Sequence, residues 1–584
     1  MLQSFAILLS QSRWRRHLFI LAASLLAIFL IGYRVGTFDQ SIHIPFLKKF
    51  VDESLFPNDP FFNLRYLHFS YFWFFFQPLY RLDLQLHSPA DQSYILWWGM
   101  FITHVVATHL TFWAVWKLAD LLFKNPLTNV AAVVGFVVPH VGFAGFPIIE
   151  FSLLNRTFVL PFLLWAIIFF LRRRYLPSFV LLGVMYNLHV ISVNFALAMI
   201  LFACLVEFRQ VGWRNIVAGM ALFVICALPV LIWKGKSSPV DLSIHSHWFD
   251  VISRGMLYSL FFTIAPYFHI LILTACGLGA LGLFVVARWR RPSPEYDKTI
   301  TLFIIAVIII LVVEAVTAEW LPLTIIIQSQ IIRAGIFALV FGYLYFANYI
   351  VTRWEAGELS RFNGVMLAGT FIAFPVPFMP LLILGIQRFI KSVSAARILS
   401  GLMAAGWAVA SVVVGLNLNL FGPGIHVDPP ENPWYQAQLW ARNNTPKDTW
   451  FITPPQIYSF YDTEWRVFSE RSTVVTYSEL LEAAFDPGYT DYWLARFNDL
   501  APGAFDKFQG DYFYNLQLTG QAFYQLSTAD FQRLAAKYRA SYLVLEKPNQ
   551  RDLPVCYGGV SSPNPQFTIY ALTPEAAANP DCRP

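Results

Sequence analysis

The chain has 584 residues, 57% hydrophobic and only 13% charged, with a formal net charge of +6 and a mean hydropathy of +0.53. A soluble protein carries about 25% charged residues, so a water-soluble globular class is excluded. Nucleic acid is not an expected partner.

Apolar runs of roughly twenty residues match the hydrocarbon core of a bilayer and predict a multi-pass α-helical membrane protein. The first run, His17 to Gly32, follows Arg13, Arg15 and Arg16 like a secretory signal. It is long, and no convincing small-x-small cleavage site follows before Asp39, so an uncleaved first span is expected. Apolar length and flanking charge predict about thirteen transmembrane helices. They fall near 17–34, 94–116, 128–147, 153–171, 175–189, 191–208, 215–233, 258–287, 299–318, 331–351, 358–374, 377–393 and 397–420. The pairs 175–208 and 358–393 could each be one irregular segment instead of two spans.

Six basic clusters fall on one side of that count: Arg13/Arg15/Arg16, Lys117/Lys124, Arg172/Arg173/Arg174, Arg209/Arg214, Arg288/Arg290/Arg291 and Arg388/Lys391/Arg397. That side is cytoplasmic by the positive-inside rule. The expectation is an inner (cytoplasmic) membrane protein with a transmembrane domain over 1–420. Its long loop 35–93 and the tail 421–584 then lie outside.

In that loop Phe46, Leu47, Phe50, Val51 and Leu55 recur at helical spacing, with Lys48, Lys49, Asp52 and Glu53 opposite. The pattern predicts an amphipathic helix lying in the interface plane. "FFNLRYLHFSYFWFFFQPLYRLD" predicts a second one, its apolar core being too short to span. Asp39 sits where the first span ends, above these two segments. An acid at a helix end is ordinarily just solvated, but polar groups recur at the other outward ends. These are His140, Glu150 and Arg156, then Asn187, His189 and Asn194, then Asp241, His245, His247 and Asp250. The last set is Glu314, Glu319, Gln328, Gln330 and Arg333. Ionisable groups at membrane depth are costly and point to a site. For Arg333 the plain alternative is snorkelling to headgroups.

Beyond the turn-rich "GPGIHVDPPENP" the tail becomes polar, with mixed helix and strand periodicity that predicts one α/β domain. Cys556 and Cys582 lie in it, as a disulfide or as two free thiols. "GKSS" at 235–238 lacks the upstream glycine and the strand–helix setting of a phosphate loop. His245-x-His247 with flanking aspartates has a spacing that can ligate zinc but also arises often by chance.

This layout resembles the GT-C superfamily of membrane glycosyltransferases. Span count and outward tail look most like the oligosaccharyltransferase catalytic subunit and its bacterial relatives. "EFSLLNRTFVLPFLLWAIIFFLRRR" with its following "NLH", and "IIIQSQIIRAGIFALVFGYLYFANY", are similar to an uncharacterised bacterial branch of such proteins. "WARNNTPKDTWFITPP" and "YRASYLVLEK" are similar to that branch too. The WWDYG acceptor signature is absent, and Asp39 is followed by Gln40 where many members carry a second acid.

The resemblance implies an inverting glycosyltransferase that takes a sugar from a polyprenyl-phosphate donor in the membrane lipid and passes it to a glycan, lipid or protein acceptor. Asp39 would act as general base or orient the acceptor, its pKa raised by apolar surroundings. Glu150 would be the second carboxylate, binding acceptor or sharing with Asp39 a divalent cation such as Mg²⁺ or Mn²⁺. Arg333, with Gln328, Gln330 and Arg156, would bind the donor phosphate. His140, His189 and Glu319 are further pocket candidates. A transporter or flippase of lipid-linked sugars, or a non-catalytic envelope scaffold, is the alternative.

Overall fold

A computed structural model describes residues 2–66, 70–86, 94–143, 147–237, 241–255, 268–290, 295–417, 422–429, 431–457, 462–560 and 563–582. A short helix α1 (Leu2–Gln11) precedes α2 (Arg13–Ile31). Ser12 caps α2, accepting from the Arg15 backbone N–H, and Gly32 ends it in the left-handed conformation. A Cβ on Gly32 would lie 2.0 Å from the Gly422 carbonyl oxygen, so only glycine lets the tail junction cross there. Immediately beyond, β1 (Tyr33–Arg34) pairs in parallel with β2 (Ile425–His426).

The loop holds α3 (Gln40–Val51), α4 (Tyr71–Phe74) and α5 (Gln77–Leu86). The next helices are α6 (Tyr94–Phe123), α7 (Pro126–Gly135), α8 (Asn155–Leu171), α9 (Tyr175–Tyr186) and α10 (Val190–Val206). A turn of helix α11 (Phe208–Val211) leads to α12 (Trp213–Ser237), and α13 (Ser246–Gly255) precedes α14 (Phe268–Arg290). The chain continues through α15 (Asp297–Trp320), α16 (Thr324–Gln328), α17 (Gly335–Glu355), α18 (Arg361–Ala373), α19 (Met379–Phe389) and α20 (Val393–Asn417).

Helices thus occur at every expected span position. Among the described residues seven of them, α2, α6, α12, α14, α15, α17 and α20, are long and apolar enough to cross a bilayer. This is a helical membrane protein. The others are too short to cross a hydrocarbon core of about 30 Å as straight helices at 1.5 Å per residue. The axis of the bundle is α17, whose apolar stretch is 89% buried against 11–44% for the other six. Gly342 on α17 allows its closest neighbour, since a Cβ there would lie 2.3 Å from the Ala280 carbonyl oxygen on α14.

In the tail, α21 (Pro433–Asn444), β3 (Trp450–Ile452), α22 (Trp465–Ser469), β4 (Ser472–Thr473), α23 (Leu480–Ala483) and α24 (Pro487–Leu500) come first. Then follow α25 (Tyr512–Gln525), α26 (Thr528–Tyr538), β5 (Tyr542–Glu546), β6 (Val555–Tyr557), β7 (Phe567–Ala571) and α27 (Pro574–Ala577). The strands form one sheet in the order β4-β3-β5-β7-β6. The pairs β4–β3 and β3–β5 are parallel, and β5–β7 and β7–β6 antiparallel. Period-two alternation divides β5 between two cores. Tyr542 and Val544 face Trp434 and Phe567, while Leu543 and Leu545 join Trp493, Phe497 and Phe531. Phe46, Phe61 and Phe62 of the loop and Trp248 of α13 belong to that second core. Cys556 and Cys582 form a disulfide.

The expected division of α3 into an apolar and a solvated face fails at Lys48. It is buried, donating to Glu470 at 2.7 Å and to the Val467 carbonyl at 2.9 Å. The tail covers the face that the charge pattern assigned to water. Close by, the buried Arg466 meets Asp59 of the loop at 2.7 Å, Glu479 at 2.9 Å and Glu464 at 3.1 Å, with the Phe61 ring at 4.9 Å. One guanidinium therefore faces three carboxyl groups.

Burial pushes the Glu464 carboxyl up to about 7 despite Arg466, and the neighbouring Glu479 and Asp59 add to the rise. A carboxyl that keeps its proton longer when folded makes the fold lose stability as pH climbs from its ordinary value near 4.5 toward 7. Thermal unfolding followed from pH 5 to pH 8 should show this decline, and Glu464→Gln should flatten it. Arg466→Met, which strands buried carboxylates, should cost about 3–5 kcal/mol in the same melts. For the disulfide, thiol alkylation of the folded tail should label Cys556 and Cys582 only after reduction.

Candidate functional site

Two positive-φ residues, Gly36 (φ 76°) and Phe38 (φ 53°), fold the chain back as it leaves β1. A left-handed aromatic residue is uncommon and must be held by its surroundings. Here the Phe38 ring packs on Phe151 at 5.4 Å. Gln40 accepts from the Gly36 N–H and donates to the Leu153 carbonyl, both at 2.8 Å. These contacts tie the start of α3 to the segment Glu150–Leu154 and bring Asp39 beside it.

Arg156, in the first turn of α8, joins the two acids. Its Nη1 lies 2.5 Å from Asp39 Oδ2, and Nε and Nη2 grip Glu150 at 2.7 and 2.6 Å. Such a bidentate pair is among the stronger charge-assisted arrangements. Thr157 adds a 3.3 Å hydrogen bond to Glu150 Oε1. Glu150 is buried, and the side chains of Arg156 and Asp39 are only 12% and 18% exposed, so little water screens the cluster.

A cavity adjoins Arg156 on the bundle side. Glu150, Arg156 and Arg333 line it together with Leu160, Phe195 and Phe337. Arg156 opens α8 and Arg333 precedes α17, so the charges sit at helix ends. Leu160 and Phe337 lie further along the same helices. Arg333 stands on a tight helical turn, Ile331–Ala334, entered through Gln330 at φ 46°. The cavity thus sets the charges of Glu150, Arg156 and Arg333 against apolar walls.

The expectation for the Asp39 carboxyl is reversed. Burial alone would push it up, but Arg156, helped by Arg333 and His43, holds it below the usual carboxylate range. The apolar surroundings were legible in the sequence; the arginine placed against the acid was not. Asp39 is therefore ionised at neutral pH, and suits hydrogen-bond acceptance and charge stabilisation better than strong basicity.

Of the other expected residues, His189 lies within electrostatic reach of Asp39, Arg156 and Arg333. Its ring is engaged in capping α10, with Nδ1 2.8 Å from Ser192 Oγ. Gln328 does not join a phosphate site, because its amide donates to the Phe485 carbonyl of the tail at 3.1 Å. Gln330 contributes the backbone turn, and its side chain is buried rather than lining the cavity. His140 is buried against Tyr343, ring centroids 4.4 Å apart, among α7 and α17. The side chain of Glu319 lies outside the described residues.

His245 and His247 do not converge. His245 pairs with Asp241 at 2.8 Å and His247 with Asp491 at 3.2 Å. Among the described residues no group of three or more His, Cys, Asp or Glu side chains is placed to hold a metal ion. The Asp39–Glu150 pair does not fit a shared divalent cation either, because the Arg156 guanidinium stands between the two carboxylates. Two participants escaped the sequence reading. Gln40 looks like a missing second acid but is a clamp, and His43, stacked on Trp73 at 4.8 Å, adds positive character beside Asp39. The helical pattern that placed His43 four residues after Asp39 on α3 was the available signal.

A family model described as a domain of unknown function, DUF6798, matches residues 432–500. That stretch runs from α21 to the end of α24 and contains Glu464, Arg466 and Glu479, but neither Asp39 nor Glu150. No curated protein matches the chain.

Arg156→Gln should leave two buried carboxylates facing each other and lower stability by about 3–5 kcal/mol, read as a fall in melting temperature in detergent or nanodiscs. Adding Glu150→Gln should restore part of the loss, since one of the stranded charges is then gone. Strict additivity of the two losses would contradict a shared ion-pair network.

Proposed function

We propose that the protein is a GT-C-type glycosyltransferase that moves a sugar from a polyprenyl-phosphate carrier to an acceptor on the outer face of the cytoplasmic membrane. One observation carries this reading: an Asp39–Arg156–Glu150 network at the ends of the helices adjoins a cavity lined by two arginines, Glu150 and apolar side chains. A lipid-linked phosphate has the matching chemistry, a charged head on an apolar tail.

In this reading Arg333 and Arg156 receive the donor phosphate and neutralise the charge that builds as it leaves. An acceptor nucleophile attacks the anomeric carbon from the opposite face. The anomeric C–O bond breaks with its electron pair remaining on the polyprenyl phosphate, and the nucleophile's proton passes to the Asp39 carboxylate. Arrival of a phosphate gives Arg156 a competing anion and loosens its hold on Asp39, which raises the basicity of that carboxylate when substrate is bound. Glu150 keeps Arg156 oriented and faces the acceptor. The site and the tail lie outside the cell in this reading, as the distribution of Arg and Lys supports.

Protein reconstituted in lipid with radiolabelled polyprenyl-phosphate sugars should transfer or hydrolyse the label. Asp39→Asn keeps the shape but lowers turnover by about 10²–10⁴-fold if the carboxylate takes the proton. Arg333→Ala should raise the donor concentration required and leave a measurable residual rate. Wild-type turnover by Asp39→Asn would refute the assignment. Movement of intact labelled lipid across the bilayer without transfer would establish the flippase instead.

A further inference from the structure

Helices α2, α6 and α8 gather an unusual set of charges at the ends away from Arg156. Arg13, Arg15 and Arg16 begin α2, Lys117 lies on α6 thirteen residues beyond His104, and Arg172 ends α8. About sixteen helical residues, roughly 24 Å at 1.5 Å per residue, separate Arg172 from Arg156. The partly buried Lys117 feels Arg16, Arg172 and Arg13, against one acid, Asp120. Asp120 is itself engaged by the Asn129 amide at 3.2 Å.

Next to Arg16, the His17 and His109 rings stack with centroids 5.3 Å apart and Nδ1 to Nε2 at 3.1 Å. The Arg16 Nε is buried without a hydrogen-bond partner.

Other cations near the same helix ends are treated differently. Lys124 pairs with Glu295 at 3.1 Å, Arg288 with Asp297 at 3.1 Å, and Lys298 with Glu207 at 3.5 Å. Among the described residues, Arg13, Arg16, Lys117 and Arg172 make no ion pair. Arg16 and Lys117 are partly buried within electrostatic reach of each other, with the exposed Arg13 and Arg172 also acting on Lys117, and an anion bridging them would relieve that repulsion. The level is that of lipid headgroups. Trp14, 73% exposed, marks an interface there, and Leu18, Leu25 and Phe29 make an exposed apolar stripe down α2 from the cluster.

We propose that Arg13, Arg16, Lys117 and Arg172 form a binding site for the phosphate headgroup of one anionic phospholipid, whose acyl chains lie along the exposed stripe of α2. The site is on the membrane surface opposite Asp39 and is independent of the glycosyltransferase reading. Basic pockets between transmembrane helices are suited to such headgroups, each cation adding attraction that falls off within a Debye length.

The test is native mass spectrometry of the full chain released from nanodiscs of phosphatidylcholine containing a minor share of phosphatidylglycerol or diphosphatidylglycerol. One anionic phospholipid should be retained per chain in preference to phosphatidylcholine. Arg16→Gln/Lys117→Gln should lower that retention by roughly tenfold or more. The matched control Arg388→Gln/Lys391→Gln removes the same charge elsewhere and should leave it unchanged. Lys117→Gln alone, expected to fold, should give an intermediate loss. Equal retention of phosphatidylcholine, an unchanged double variant, or an equal loss in the control would overturn the site. Melting-temperature gain with inorganic phosphate as large as with the lipid would overturn the lipid as its occupant.

Discussion

A guanidinium held between two carboxylates in a nearly dry pocket is the interaction on which this end of the helical bundle depends. Arg156 belongs to α8 of the bundle, Asp39 to the first loop and Glu150 to the segment before α8. Removing any of the three from water is costly, and together they compensate one another. The geometry also explains why the loop takes a strained path. Phe38 adopts a left-handed conformation because Gln40, Phe151 and Leu153 hold the chain where Asp39 reaches Arg156.

The same device recurs one layer further out. Arg466 on α22 binds Asp59 from the loop, and Lys48 on α3 binds Glu470 just after α22. Both pairs are buried, so the loop is the middle of a sandwich between bundle and tail. Phe46, Phe61 and Phe62 share a hydrophobic core with the tail sheet, which makes the contact apolar as well as ionic. A displacement of the tail would therefore be felt at α3, and through its first turn at Asp39. The DUF6798 match covers the tail half of this contact.

The cavity beside Arg156 gains its character from helix ends. Charged groups at the first turn of α8 and just before α17 sit at helix ends, where they cost less than deep inside an apolar helix. The apolar residues below them follow from the same helices continuing inward.

Length and hydropathy determined the membrane class and the place of each apolar helix, because a bilayer imposes one length and one polarity on whatever crosses it. The tail's α/β character was legible from its change in periodicity, and Asp39, Glu150, Arg156 and Arg333 from their position at or near helix ends. Tertiary structure alone decided what those groups do to one another. No spacing along the chain reveals that Arg156 sits between Asp39 and Glu150, so the direction of the Asp39 shift was misread. Gln328 and Lys48 were assigned to site and solvent because local patterns are silent about what a distant domain covers. His245 and His247, two residues apart, point to different acids for the same reason: partners are chosen by packing in three dimensions, which sequence spacing constrains only within a helix or a strand.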